Sequence, residues 1–347
     1  MSDSTDTPSR GFKSLLAFCT DDGASAISAI GSLTNTGTLF TTQHKALLKE
    51  YVSETIGLDQ AVIDASGIRG TMGHIDTRTR HGVRSVSGQI VMQPSVQDLY
   101  DLVPIWFGGS SASPALQETG PTSFGLAISR DAKDFYYNYC KVARVNLTSA
   151  AGGILTMTLT VIGTDENSAN SGNPYAADTI SGRSLTAAVA QSPLMHFDTS
   201  AGVLFDRSGS NFAGNPEGIS ITIDHGIMPD RFRNSKTVTA LPSMDRVVSI
   251  ELGFPYSTQN AATLAAATTL YPAQLSGYGA TNAGDFRVQY AHGDIASKSV
   301  TFDFIVSKFN RSAPRNGSSR GEIMLPYTGR AFRTASTQEC VLTLDIT

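Results

Sequence analysis

The sequence predicts a mainly β protein made of two similar antiparallel sheet or barrel modules, each carrying one helix. Three observations lead there. Charged residues make up only 16% of the 347 residues, while Gly, Ser, Thr and Ala are abundant, a balance that favours strands and turns. Apolar residues alternate with polar ones in segments such as Ile154–Ile162 and Ile219–Ile223, the period of a half-buried strand. Residues 84–128 and 246–290 also follow one pattern without a gap. Arg84 answers Arg246, Val86 answers Val248, Ile90 answers Leu252 and Met92 answers Phe254. Further on, Ser95, Asp98 and Leu102 answer Ser257, Asn260 and Leu264, and Phe124, Leu126 and Ile128 answer Phe286, Val288 and Tyr290. Internal repetition of this kind marks a building block.

Residues 1–50 form an N-terminal extension. Its first 11 residues are polar and read as disordered. Phe12–Thr20 fits a strand or a short helix, and residues 21–43 read as an extended surface segment. His44–Ile56 (HKALLKEYVSETI) has apolar positions at helical spacing and predicts a helix.

The first module spans residues 51–165. Its segment 67–84 (GIRGTMGHIDTRTRHGVR) suits a long hairpin or loop, and Val86–Met92 alternates as a strand. Ser95 with Asp98 three residues on is a helix-start signal. Val96, Leu99, Leu102 and Val103 give that helix one apolar stripe, and Gly108-Gly109 ends it. Phe124–Arg130 and Phe135–Thr148 read as strands, with a tight turn at Ala150–Gly153 before the returning strand Ile154–Ile162.

Residues 163–182 (GTDENSANSGNPYAADTISG) have linker composition, which puts the linker at 166–184 and the second module at 185–347. That module is predicted to hold strands at Ile219–Ile223 and Val247–Phe254, then a helix at Thr258–Thr269. Further strands are expected at Phe286–Tyr290, Ser299–Lys308, Gly321–Leu325 and Cys340–Ile346. A sheet with a helix on one face leaves edges in need of cover, which neighbouring molecules can supply.

Chemistry-bearing motifs are missing. No HExxH or Walker loop occurs, and no catalytic, cofactor or metal residue is assigned. The six histidines are scattered, and Asp165, Asn167 and Asn170 lack the spacing and closing Glu of a calcium loop. Cys19, Cys140 and Cys340 form no CxxC and read as buried free thiols of a reducing cytosol. The polar N-terminus is unlike a signal peptide, and no apolar run reaches membrane-spanning length. Alternation puts Tyr137 and Tyr139 on one strand face and Tyr136 on the other, suited to packing rather than to a sugar platform.

Arg69, Arg78, Arg80 and Arg84 lie in the first hairpin segment, and Arg315 and Arg320 in the basic stretch Arg311–Arg320. Asp76 and glycines interrupt the first set, and no aromatic ladder accompanies it. Solvated hairpin and inter-subunit contact therefore stand ahead of DNA binding, and all six arginines are inter-subunit contact candidates.

Residues 65–109 (ASGIRGTMGHIDTRTRHGVRSVSGQIVMQPSVQDLYDLVPIWFGG) resemble the tail tube proteins of long-tailed bacteriophages. The shared features are a Gly-Arg-rich segment, a V-S-G-x-I strand at Val86–Ile90, and a helix ending in glycine. Phe135–Gly163 is similar to the family's aromatic-rich strand and GG hairpin, and Gly218–Val238 to the strand opening its second half.

The resemblance implies a structural virion protein with no cofactor. Subunits would join edge to edge into rings whose inner wall is a β-barrel, and rings would stack into a tube in the phage tail, assembled in the host cytoplasm. DNA would pass through the lumen without sequence-specific binding, beside the tape-measure protein, with tail terminator and baseplate proteins at the ends. Two modules per chain favour a trimeric, pseudo-sixfold ring over a hexamer. Another ring-forming virion component, a head–tail connector or baseplate ring, is the alternative.

Overall fold

A computed structural model describes residues 14–21, 44–64, 79–108, 115–118, 120–130, 134–150, 152–168, 194–195, 203–204, 213–214, 216–229, 235–236, 238–255, 286–291, 298–304, 306–309, 315–316, 323–333 and 338–345. The first elements are β1 (Leu15–Asp21), β2 (His44–Lys49), β3 (Ser53–Glu54), β4 (Gly57–Asp64), β5 (Thr79–Met92) and α1 (Val96–Trp106). Then come β6 (Phe124–Ser129), β7 (Asp134–Ala150), β8 (Thr156–Gly163), β9 (Asp165–Ser168), β10 (Val203–Leu204), β11 (Ala213–Gly214) and β12 (Gly218–Asp224). The rest are β13 (Val247–Pro255), β14 (Phe286–Ala291), β15 (Ser299–Phe304), β16 (Val306–Phe309), β17 (Arg315–Asn316), β18 (Ile323–Phe332) and β19 (Val341–Asp345).

The 17-residue β7 organises the larger sheet. Its first part pairs with β6 and β9, and its second part with β8 and β12. One continuous path therefore runs β4–β5–β8–β7–β12–β13–β18–β16. β2–β1–β6 joins this sheet through the start of β7, and β11–β10–β14–β15–β19 forms a separate sheet. The path is open: among the described strands its ends, β4 and β16, pair only with β5 and β18. Among the described residues a single chain thus holds sheets and no closed barrel.

The strand pairings recur in order along the chain. β1·β2, β1·β6, β4·β5, β5·β8, β6·β7, β7·β8 and β7·β9 are followed by β10·β11, β10·β14, β12·β13, β13·β18, β14·β15, β16·β18 and β15·β19. In the second set the short strands β15 and β16 take the place of the single strand β7.

Burial follows the alternation. β8 and β12 show strict exchange of buried and half-buried positions. Val86, Ile90, Leu159, Val145, Ile221 and Ile250 are all fully buried on the core face of the path. Each such side chain contributes about 1.5–3 kcal/mol relative to exposure. The opposite face is rich in hydroxyls and amides, including Ser87, Gln89, Thr158, Asn146 and Thr222, alternate residues of the same strands.

Helix α1 starts as expected. Ser95 is the N-cap of a complete capping box with Asp98, and Leu99, Leu102, Val103 and Trp106 are buried. The Trp106 indole N–H donates to the Leu99 carbonyl at 3.2 Å, and its ring lies 6.4 Å from Phe302. The helix expected at Thr258–Thr269 lies outside the described residues.

Several expectations are corrected. His44–Ile56 is strand β2 and strand β3, not a helix. β2 pairs with β1 from Asp21↔His44 to Leu16↔Lys49, and this ladder overrides the weak helical period. Phe12–Thr20, for which strand and helix both fit, is strand from Leu15 onward, and β1 runs one residue further to Asp21. β5 begins at Thr79 rather than Val86 because β4 pairs with it as far as Asp64↔Thr79. Residues 165–168, at the start of the expected linker, are strand β9 on β7, and residues 169–184 lie outside the described residues. Tyr139 has φ 47° at a β-bulge, so the expected Tyr137/Tyr139 alternation breaks. Tyr137 joins the main core, while Tyr139 packs on a separate cluster of Ala143, Ile227, Val238 and Leu241.

Candidate assembly edges

Two strand edges and one internal junction define the surface of interest. At the junction, β7 and β12 pair from Ala150↔Gly218 to Arg144↔Asp224. On the polar face, Arg144 donates to Asp224 Oδ2 from Nη2 at 2.6 Å and from Nε at 3.0 Å. Asn146 Oδ1 accepts from Ser220 Oγ at 3.1 Å and from Thr222 Oγ1 at 3.4 Å. On the core face, Ile219, Ile221 and Ile223 pack with Val145 and Leu147. Burial pushes the Asp224 carboxyl up, but the Arg144 bond and the Gly226 N–H outweigh it and leave its pKa lowered.

The β4 end of the path is more exposed. Residues 61–64 are all exposed, with Val62 at 65% and Ile63 at 59%. Val83, at the register shift between β4 and β5, is also exposed, at 50%, while Val62 and Ile63 face opposite sides of the hairpin. Nearer the core, Arg130 donates to both Glu54 oxygens and to the Ile56 carbonyl, which also accepts from the Tyr137 hydroxyl at 3.3 Å. The Ile56 N–H donates to Glu54 Oε2 at 2.9 Å. Burial, partly countered by Arg130, raises the Tyr137 pKa. Side chains thus cap an edge that has no further strand neighbour among the described residues.

The six arginines fare differently. Arg80 is exposed on the arm. Arg84 bonds within the chain, from Nη2 to Asp165 Oδ2 at 2.7 Å. Its partner Asp165 also accepts from the Glu166 N–H, so that carboxylate is engaged and sits in a strand rather than an ion-binding loop. Arg315 opens β17. Arg69, Arg78 and Arg320 lie outside the described residues.

A cavity of about 380 Å³ is lined by Glu118, His225, Ser243, Arg246, Arg333 and Glu339, among others. Arg246 pairs with Glu339 at 2.6 Å and Arg333 pairs with Glu118. His225 is buried with Nε2 at 3.0 Å from the Trp106 carbonyl, and burial pushes its pKa down to about 4. Neither Ser243 Oγ nor His225 Nδ1 has a hydrogen-bond partner, so no nucleophile–base pair forms there. Cys140 and Cys340 are buried and in no disulfide among the described residues, and burial pushes the Cys340 thiol up. No group of three His, Cys, Asp or Glu among the described residues could hold a metal ion. No described helix is long and apolar enough to cross a membrane.

Sequence reading missed Glu54, Arg130, Arg144, Asp224 and Lys49. Lys49 is buried and reaches both Asp98 and Asp101 of α1 at 2.8 Å. These partners are far apart in sequence, and only the fold brings them together.

A search of curated proteins returns no match. The phage tail tube protein family matches residues 23–331. That span takes in the sheet path from β4 to β18 and both of its edges, and the chain belongs to the phage tail tube protein family.

Proposed function

We propose that the chain polymerises as stacked rings into the tube of a phage tail and serves as a conduit for DNA. The observation that carries this reading is the open eight-strand path, split by the β7·β12 junction into β4–β5–β8–β7 and β12–β13–β18–β16. The recurrence of the same pairings in both halves supports two tube modules joined in one polypeptide. Three chains then supply the six modules of a pseudo-sixfold ring. Closing the path between copies removes both exposed edges at once, and a head-to-tail contact that closes gives a ring.

The polar face of the path is the lumen wall in this arrangement. Hydroxyls and amides dominate it, and its Arg144 is neutralised by Asp224, while Arg330, opposite Ser249, is an exposed cation on the same face. DNA and the tape-measure protein pass without sequence-specific binding. Tail terminator and baseplate proteins cap the tube, which is assembled in the host cytoplasm and carried in the virion.

Negative-stain electron microscopy and mass measurement of the purified protein test this. Hollow tubes with three chains per repeat are expected. Six chains per ring would remove the paired-module stoichiometry, and single rings that never stack would favour a connector or baseplate component.

A further inference from the structure

The internal junction also specifies how one chain meets the next. Resting on the ring-forming reading above, we propose that β16–β17 of one copy pairs antiparallel with β3–β4 of a second copy in the register of β7·β12. Arg315 then lies opposite Thr55, and Asn316 opposite Glu54.

The register follows from shared neighbours. Within the chain, Thr148 of β7 lies opposite Ser220 of β12, and Ser220 lies opposite Glu251 of β13. In the ungapped sequence match Glu251 answers Gln89, whose carbonyl accepts the Thr55 N–H at 2.9 Å. Thr55 therefore occupies the place of Ser220. On the other side, Ile90↔Leu159 answers Leu252↔Tyr327, so β8 and β18 correspond, with Thr156 in the place of Met324. Thr156 lies opposite Thr148, and Met324 lies opposite Arg315. Arg315 therefore occupies the place of Thr148.

The irregularities agree as well. From Val142↔Val161 to Thr148↔Thr156, one strand advances one residue more than the other. From Phe309↔Gly329 to Arg315↔Met324 the same single extra residue occurs. The bulge on β7 re-aims that strand, and the registers of β16 and β17 on β18 are offset by the same one residue.

Charge is complementary in the same order. Asp224 lies opposite Val247, which answers Ser85, and Ser85 lies opposite Asp59. Arg144 precedes Thr148 by the same number of residues as Arg311 precedes Arg315. The Arg144–Asp224 pair thus has a chemical counterpart in the sequence, with the acid on the exposed β4 edge. On the core face, Ile56 and Leu58 replace Ile221 and Ile223. Because the two edges are different surfaces of one chain, the occupant is a second copy bound head to tail.

Cysteine cross-linking tests the register, since directly opposed residues of an antiparallel pair lie within disulfide reach. Assembled Thr55→Cys/Arg315→Cys protein, oxidised and run denatured without reductant, should give multimers ending at three chains. Thr148→Cys/Ser220→Cys should link within one chain, as a control. Hydrogen exchange on the unaltered protein should show residues 53–59 and 306–309 gaining protection on assembly. Rings or tubes with no gain in either segment overturn this junction whatever the double variant does. Tubes of the double variant that never cross-link, while the control pair links, overturn the register. An unaltered protein that stays a single molecule sinks the ring-forming reading, and this junction with it.

Discussion

Arg130 grips Glu54 through both ends of its guanidinium, Nε to Oε1 at 2.8 Å and Nη2 to Oε2 at 2.9 Å. The same Nη2 donates to the Ile56 carbonyl at 2.5 Å. Thr55 donates its N–H to Gln89 of β5, so by strand alternation the Ile56 groups point away from β5. In the unassembled chain Arg130 and Glu54 therefore occupy the outward-facing Ile56 groups, and the next copy has to displace them to pair along β3–β4.

Arg130→Ala removes this cap. Glu54, whose side chain is only 11% exposed, loses its cation, and the cost should be about 1–3 kcal/mol. The low end applies because Arg130 itself is a third exposed and partly screened. Urea denaturation of the unassembled protein measures it, and light scattering should show faster self-association at equal concentration. An unchanged midpoint with unchanged scattering would rule out an edge-capping role.

How far the sequence could be read follows from which forces are local. The start of helix α1 was legible to the residue because the Ser95/Asp98 capping box and its apolar stripe lie within one turn or two. The hairpin β7–β8 was legible from alternation and from Gly152, whose φ of +68° suits the tight turn. β2 was misread because its six residues are too short to decide a period, and its partner β1 lies beyond residues 22–43. The edge pairs Arg130–Glu54 and Arg144–Asp224 were invisible for a related reason: each joins residues 76 or more apart. Alternation identifies a strand and its buried face, but not which edge meets which.

Gly88 is the glycine of the V-S-G-x-I strand, and the fold explains it. A Cβ there would sit 2.5 Å from the Thr55 carbonyl oxygen and 2.6 Å from the Ile56 Cα, both backbone atoms. Backbone cannot rotate aside as a side chain can, so Gly88→Ala must push β3–β4 off β5. Overpacking of this kind costs about 1–3 kcal/mol. The variant should remain folded yet assemble poorly, because the displaced edge is the one proposed to meet the next copy. Circular dichroism and electron microscopy together decide it. Tubes in normal yield would show that the glycine is not there to seat this edge.

Acid should destabilise the unassembled protein in a window set by His225. Its pKa is lowered from 6.5 to about 4 in the folded state, first by burial and further by Arg246, so the unfolded chain binds the extra proton between those values. Stability is therefore full above about pH 6.5 and falls as pH drops toward 4, by on the order of 3 kcal/mol. Asp224 adds a separate loss at lower pH, because its depressed pKa gives stability that vanishes as pH falls through the folded value. Urea midpoints from pH 7.5 to 4 would trace the first loss. In His225→Asn the slope between pH 6.5 and 4 should flatten, and a slope identical to the unaltered protein would assign the acid sensitivity elsewhere.

The arm formed by β4 and the start of β5 offers the last test. Val62, Ile63 and Val83 leave large apolar side chains exposed there, and Arg80 is exposed among them. Isolated exposed apolar residues are ordinary, but Val62 and Ile63 leave both faces of one short hairpin apolar, and such an arm gains by being covered. Arg80, opposite Ile63, gives the arm a positive charge suited to carboxylates on a neighbouring copy, and Arg78 lies two residues before it in sequence. Replacing both arginines with Ala removes no internal ion pair assigned to Arg80, so the thermal midpoint of the unassembled chain should hold within about 0.5 kcal/mol of stability. Polymerisation should weaken, and more so at low salt than at high salt, where the lost charges were already screened. Sedimentation of tubes at two ionic strengths measures both effects. Equal tube yield in the double variant at both salts would remove these arginines from the assembly contact.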